Sequence, residues 1–462
     1  MRRFRLTKFF PKTQLEPGQR PMFTRQELIR LIIPLMIEQL LAITIGMADS
    51  VMVASCGEAA VSGVSLVDSI NVLLINILSA LTTGGAIVAS QYLGRQDVEE
   101  ANIATKQLFM STLALSAAIM AVCLMFRTLI LYGIFGHVDP SVMQNCEIYF
   151  FWSALSYPFL GIYNSGAAIY RSMGNSKISM FTSVIMNLWN VCGNAILIFG
   201  FSMGVAGAAL ATFTSRILGA VLIVLLLHIQ HNPIRLDSLQ GFAPKWGMVK
   251  SILKIGVPTG LENGMFQVGK ILVQGLVASF GTASIAANAV SGAIAGLPLI
   301  PGSATGLAMV TVVGQCMGAG EIKQAKNYTK KLMLLACGSM GVICILMMIF
   351  LNPILGIYQL SADTMGIARV LLLSNLSCVI VFWGISFVLP NALRAAGDVR
   401  FTMTVSMLSM WLCRVAASYL LAQFFQLGVL GVWIAMYLDW VVRDVFFTAR
   451  FLSGKWTTKK VV

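Results

Sequence analysis

The side chains best able to do chemistry here are ionisable groups set inside long apolar runs. Such groups are costly within a bilayer, so each marks a functional position by default. Asp49 lies in an apolar run at 28–53, deep and towards its outer end, and Glu38 precedes it by eleven residues. In a helix that spacing brings the two to within about 20° of one face. A desolvated carboxylate at the depth of Asp49 is suited to reversible protonation. Glu38 and Glu262 each stand four residues after a proline, Pro34 and Pro258. A proline inside a helix frees a backbone carbonyl and kinks the axis. Two carboxylates so placed can bind a cation or a cationic substrate. They can equally form an inner gate, each paired to a donor in its own lobe. Asn190 and Asn194 are i, i+4 and share a face. Asparagines among lipid must find partners, so that face turns inward, for function or as interhelical glue.

Three further groups are expected to form charge pairs. Lys270 follows Glu262 by eight residues, about 80° round the helix, and is expected to neutralise Asp68 or Glu262 rather than touch substrate. Arg414 reads the same way, and Asp439 and Arg443 can pair along one helix at i, i+4. The chain has 26 Met and 26 Phe. Met suits adaptable apolar pockets, and aromatic faces attract organic cations. Tyr157, Tyr163, Trp189 and Trp383 are the aromatic candidates for a substrate cleft. The sequence carries no metal-ligand spacing, nucleophile elbow or phosphate loop, so it predicts no catalytic residue, no metal and no cofactor. The nine cysteines are scattered, without a C-x-x-C pair, and read as small apolar fillers.

The elements that must position these groups are membrane-spanning helices. Of the 462 residues 57% are hydrophobic and 11% charged. Apolar runs long enough to cross a bilayer recur from end to end, whereas barrel strands would alternate apolar and polar residues. Twelve spans are predicted, at 28–53, 62–89, 107–131, 143–169, 178–199, 205–229, 254–279, 285–313, 332–355, 366–391, 402–423 and 428–450. With the N-terminus inside, 26 of the 32 Lys and Arg fall in inner segments, as the positive-inside rule requires. That distribution accounts for the net charge of +14 through topology rather than nucleic-acid binding. Residues 1–26 are basic and lack an apolar core of signal length, and are expected to lie against anionic lipid.

The two halves repeat. An offset of 224 superimposes Pro34 on Pro258, Glu38 on Glu262, Gly57 on Gly281 and Gln91-x-x-Gly94 on Gln315-x-x-Gly318. The offset is 223 at Arg171-x-x-Gly174-Asn175 and Arg394-x-x-Gly397-Asp398, and 224 again at Gly204-x-x-Gly207 and Gly428-x-x-Gly431. Repeats with an even number of spans enter the membrane from the same side, and two such lobes enclose a cleft. The predicted layout is a cytoplasmic segment at 1–26, an N-lobe at 27–229, a linker at 230–250, a C-lobe at 251–452 and a cytoplasmic tail at 453–462. Asp49 has Val273 as its repeat mate, so the deep protonatable group belongs to the N-lobe alone.

The ordered set of motifs resembles the multidrug and toxic compound extrusion (MATE) family over nearly the whole chain. It comprises Pro34…Gly46-Met47-Ala48-Asp49-Ser50, the twin Gln-x-x-Gly motifs, Gly256-Val257-Pro258, the Arg-x-x-Gly-Asn/Asp turns and the twin Gly-Val-x-Gly motifs. The resemblance implies an all-α antiporter of twelve helices that expels organic, often cationic, compounds in exchange for H⁺ or Na⁺. In one branch of that family the counterparts of Asp49, Asn190 and Asn194 form the N-lobe protonation site, with an Asp at the last position. Here Asn194 replaces that second carboxylate, which leaves Asp49 as the main titrating group. The seventh- and tenth-helix acids of another branch have no counterpart. The alternative function is flipping of a lipid-linked precursor by a related twin-lobed fold. The expected setting is a monomer in an inner or plasma membrane with both termini cytoplasmic.

Overall fold

Long runs rich in Leu, Ile, Ala, Val and Met, broken at glycine-bearing turns, fold as helices, whose backbone groups are satisfied within each segment as lipid demands. The computed structural model describes residues 20–136, 138–229, 232–236, 243–459 and 461–462. Most of the basic segment at 1–26 and much of the linker at 230–250 lie outside the described residues. The long helices are α1 (Arg25–Ala54), α2 (Glu58–Gly94), α3 (Val98–Met125), α4 (Pro140–Ser172), α5 (Ser176–Gly200) and α6 (Gly204–Ile229), followed by α7 (Trp246–Ala278), α8 (Thr282–Gly318), α9 (Ile322–Ile349), α10 (Ala362–Ala395), α11 (Val399–Phe424) and α12 (Gly428–Leu452). Nine are long and apolar enough to cross a membrane. The other three, α4, α7 and α12, are of comparable length with more polar residues. No strand occurs among the described residues. The protein is an all-α, multi-pass membrane protein of two six-helix lobes.

The repeat extends to the backbone. Left-handed residues fall in matched pairs: Gly57 with Gly281, Gln96 with Gly320, Ser202 with Gln426, Gly204 with Gly428, and Gly174 with Gly397. Each Gly-x-x-Gly motif has two physical roles. Its first glycine takes a positive φ, 56° at Gly204 and 54° at Gly428, which a residue without Cβ adopts at little cost. Its second lets the helix meet the end of the one before it. A Cβ on Gly207 would lie 3.0 Å from the Leu197 carbonyl carbon, and one on Gly431 2.8 Å from that of Leu421.

Structure and expectation differ in the third and ninth spans. Their apolar pattern continues past Phe126 and Phe350, but the helices break there, at ψ 18° in both, and short helices Arg127–Phe135 and Leu351–Gly356 follow. Hydropathy cannot register a break made by a backbone dihedral within an apolar run. Several helices also depart locally from α geometry. Beside Pro298, α8 passes through a 3₁₀ turn at Leu297–Leu299, and α5, α10 and α11 contain π-helical segments.

The chain divides into one compact unit of residues 33–260 and another of 20–32 with 261–461. Both division points fall beside the helix prolines, Pro34 and Pro258, rather than in the loop at 230–250. In the N-terminal unit the first turns of α7 pack on α2, where a Cβ on Gly84 would meet the Ile252 carbonyl oxygen at 2.7 Å. In the C-terminal unit the chain before α1 is tied to α9: Tyr328 accepts from the Phe23 amide and donates to the Phe23 carbonyl. A reciprocal cap starts α1, with Thr24 Oγ1 accepting from the Glu27 amide and Glu27 Oε2 accepting from the Thr24 amide.

The close approach at the second motif glycine gives a test. Gly207→Val and Gly431→Val should each lower stability by about 1–3 kcal/mol through overpacking. Gly338→Val, at a site with open space around its Cβ, should lower it less. Thermal unfolding of the purified variants in detergent measures the difference.

Candidate functional site

In the N-terminal unit α1 and α5 bring Asp49, Asn190 and Asn194 together. The Asn194 amide nitrogen donates to Asp49 Oδ1 at 2.7 Å. Oriented to satisfy its surroundings, the Asn190 amide donates to Asp49 Oδ1 and Oδ2 at 2.8 and 3.1 Å and accepts from Thr212 Oγ1 at 3.1 Å. Both asparagines are buried, and Asn194 Oδ1 has no hydrogen-bond partner among the described residues. The single carboxylate is therefore cradled by two amides one turn apart on α5.

A second polar network lies in the same unit. Asn71 donates to Asp68 Oδ1 at 3.0 Å, and Tyr157 donates to Asn71 Oδ1 at 2.7 Å. Tyr149 bonds Asp68, and Arg216, which donates to Ser156 Oγ at 2.6 Å, acts on the same carboxylate electrostatically. Asp68 thus has its partners within its own lobe, on α2, α4 and α6, and the expected pairing with Lys270 is replaced by these. Tyr157 and Tyr163 are buried inside the unit, which corrects their expected place on a cleft. The Tyr157 hydroxyl finds its acceptor in the interior, and Tyr163 is packed in beside Gly219. Trp189 is exposed and donates through Nε1 to Thr214 Oγ1 at 3.2 Å.

Glu38 and Glu262 take equivalent partners. Glu38 is bonded by Arg171 at 3.4 Å and by Ser179 Oγ at 2.9 Å. Glu262 is bonded by Arg394 at 2.6 Å. The arginines open the two Arg-x-x-Gly turns, so the repeat carries both halves of each pair. Sequence reasoning placed these arginines in inner loops and missed their role. The signal was present, because the carboxylates and the arginines recur at nearly the same offset. Glu262 is 6% exposed, and its Oε2 and the Arg394 Nε lack partners among the described residues, so the second pair is single-pronged as well as buried.

The C-terminal unit contains a cavity of about 440 Å³. Trp383 lines it, as do Phe266, Phe387, Trp433 and Trp440, and its charged lining residues are Lys270 and Arg414. Trp383 and Phe387 stack at 5.1 Å, and Arg414 lies 5.3 Å above the Phe266 ring. Asp439 holds Arg443 at 2.8 Å, as the i, i+4 spacing predicts, and Arg414 only at 3.9 Å. Lys270 departs from expectation. It is exposed at the cavity wall and has no ion-pair partner among the described residues. Glu262, the nearer candidate in sequence, is taken by Arg394, since 80° of rotation turns the lysine to another side of α7. Among the described residues no group of acidic, His or Cys side chains could hold a metal ion.

These buried polar clusters lie in a duplicated bundle of membrane-length helices. The MatE family model matches residues 34–196 and again 258–420, two segments offset by the same 224 residues as the motifs. The chain belongs to the MatE family. It is 25% identical over 447 residues to a probable multidrug resistance protein NorM of Thermotoga maritima, covering 95% of this chain and 94% of that protein. It is 26% identical over 443 residues to the uncharacterized transporter YisQ of Bacillus subtilis, covering 92% and 94%. Among solved structures, a MOP superfamily transporter from Pyrococcus furiosus superimposes with a TM-score of 0.87 at 18% identity, over 94% of this chain and 97% of that one. An outward-facing multidrug resistance MATE family transporter does so with 0.85 at 19%, over 93% and 94%.

The Glu–Arg pairs yield a stability prediction. Arg394→Ala leaves Glu262 buried without a counter-charge and should cost about 3–5 kcal/mol. Arg171→Ala should cost less, since Glu38 keeps Ser179 and its ion pair is longer. Adding Glu262→Gln to Arg394→Ala should recover much of the loss, as read by chemical denaturation in micelles.

Proposed function

We propose that the protein is a secondary antiporter that exports small organic molecules in exchange for protons, with Asp49 as the proton-carrying group. The observation that carries this reading is the amide cradle around Asp49. An alkali cation needs several oxygens converging on it, whereas here both asparagines turn N–H donors towards the carboxylate. That arrangement fits a group alternating between ionised and protonated forms. The unpartnered Asn194 Oδ1 adds to it. Rotation of that amide would exchange donor for acceptor, so one side chain can serve an ionised Asp49 and then accept from a protonated one. Asn194 in place of a second acid thus favours H⁺ over Na⁺.

Export of drugs or metabolites is supported by the relatives named as multidrug resistance proteins. In this reading the two lobes rock around a central path in a cell membrane, with the N-terminus inside as the basic segments indicate. Glu38 and Glu262, each already neutralised by an arginine, act as lobe-internal fasteners at the inner gate rather than as cation ligands.

The test is flux in vesicles reconstituted with the full chain, using a panel of labelled organic ions under an imposed pH gradient and then a Na⁺ gradient. Wild type should respond to the pH gradient alone. Asp49→Asn should abolish that response while its thermal unfolding stays near that of wild type. Unchanged flux in Asp49→Asn, or flux driven by Na⁺ alone, would overturn proton coupling at this residue. Movement of lipid-linked substrates indifferent to either gradient would favour flipping instead.

A further inference from the structure

We propose that the cavity of the C-terminal unit binds an organic anion with a flat apolar body, its acidic group held between Lys270 and Arg414. This rests on the export reading and gives the exported molecule a charge. The cavity offers aromatic faces for the body and two cations for the head. No carboxylate lines it. Four acids of the unit are engaged elsewhere: Glu262 with Arg394, Asp439 chiefly with Arg443, Asp444 with Ser386, and Asp398 with Arg450. Asp439 is shared by two arginines, so Arg414, Arg443 and Asp439 together keep a net positive charge. Lys270 adds another without any counter-ion among the described residues. A cation in this space would meet like charge on both polar walls. An anion would supply the missing partner, and the arginine could take a carboxylate or phosphoryl group with a directed fork of N–H donors.

The repeat strengthens the argument. At the 224 offset Gly46 becomes Lys270, Asp49 becomes Val273 and Asn190 becomes Arg414. The place of the anion is taken by Val273, in the cavity wall, the place of its amide by Arg414, and Lys270 stands where the first copy has a glycine. Arg414 sits in the π-helical segment Met410–Ala416, which the first copy lacks at the corresponding place. A π segment accommodates one extra residue in a helix, and the offset between the copies grows from 223 to 224 across α11. The insertion brings Arg414 to the level at which α5 presents Asn190.

The experiment is equilibrium binding of two radiolabelled probes with one body and opposite charge, naphthoate and naphthylmethylammonium, to the purified full chain. Naphthoate should bind more tightly. Lys270→Gln, with thermal unfolding as its folding control, should weaken naphthoate about tenfold or more and leave the cation unaffected or improved. Arg414→Lys, which keeps the charge but loses the fork, should weaken naphthoate less than Arg414→Gln does. Binding is read at equilibrium on the wild-type chain and needs no gradient. A failure of proton coupling would appear in flux and leave this result standing. Preference for naphthylmethylammonium, or unchanged naphthoate affinity in Lys270→Gln, would overturn the proposal.

Discussion

The governing constraint is that a polar group inside a lipid-embedded lobe must be answered within that lobe, because the surrounding medium offers no donor or acceptor. Most buried chemistry in this protein follows from it. Asp49 takes two amides, Asp68 takes an amide, a phenol and a nearby guanidinium, and each proline-associated glutamate takes the arginine of its own repeat. Some polar groups are left unanswered among the described residues, Asn194 Oδ1 and Lys270 among them.

Much of this was legible in the sequence, for physical reasons. Helix number follows from the length of apolar runs, and the two-lobe plan from a constant offset between motifs. The Asp49 cradle was foreseen through the i, i+4 spacing of Asn190 and Asn194 together with the family likeness. What stayed hidden depends on rotation and on local dihedrals. An apolar run cannot reveal the breaks at Phe126 and Phe350. Charge counting by loop assigned Arg171 and Arg394 to topology, although a long side chain can reach back along its helix to a carboxylate. Lys270 was expected to be neutralised because lone charges are costly in lipid, and that reasoning fails where the charge faces a cavity.

The two lobes share a scaffold but differ in what they hold. Turn glycines, helix breaks and Glu–Arg pairs recur in both. The acid with its amides appears in one copy, and the aromatic cavity with its cations in the other. A duplicated frame permits this division, since either interior can change while its twin still supplies the matching outer shape.

The π-helical segment around Arg414 is where the second copy of this helix departs from the first. The repeat offset is 223 before this segment and 224 after it, and the downstream Gly428-x-x-Gly431 motif keeps the geometry of its first-copy counterpart. The helix takes the extra residue as a local swelling rather than as a rotation of all that follows. A one-residue difference confined to one half can therefore turn a different side chain inward without rebuilding the bundle.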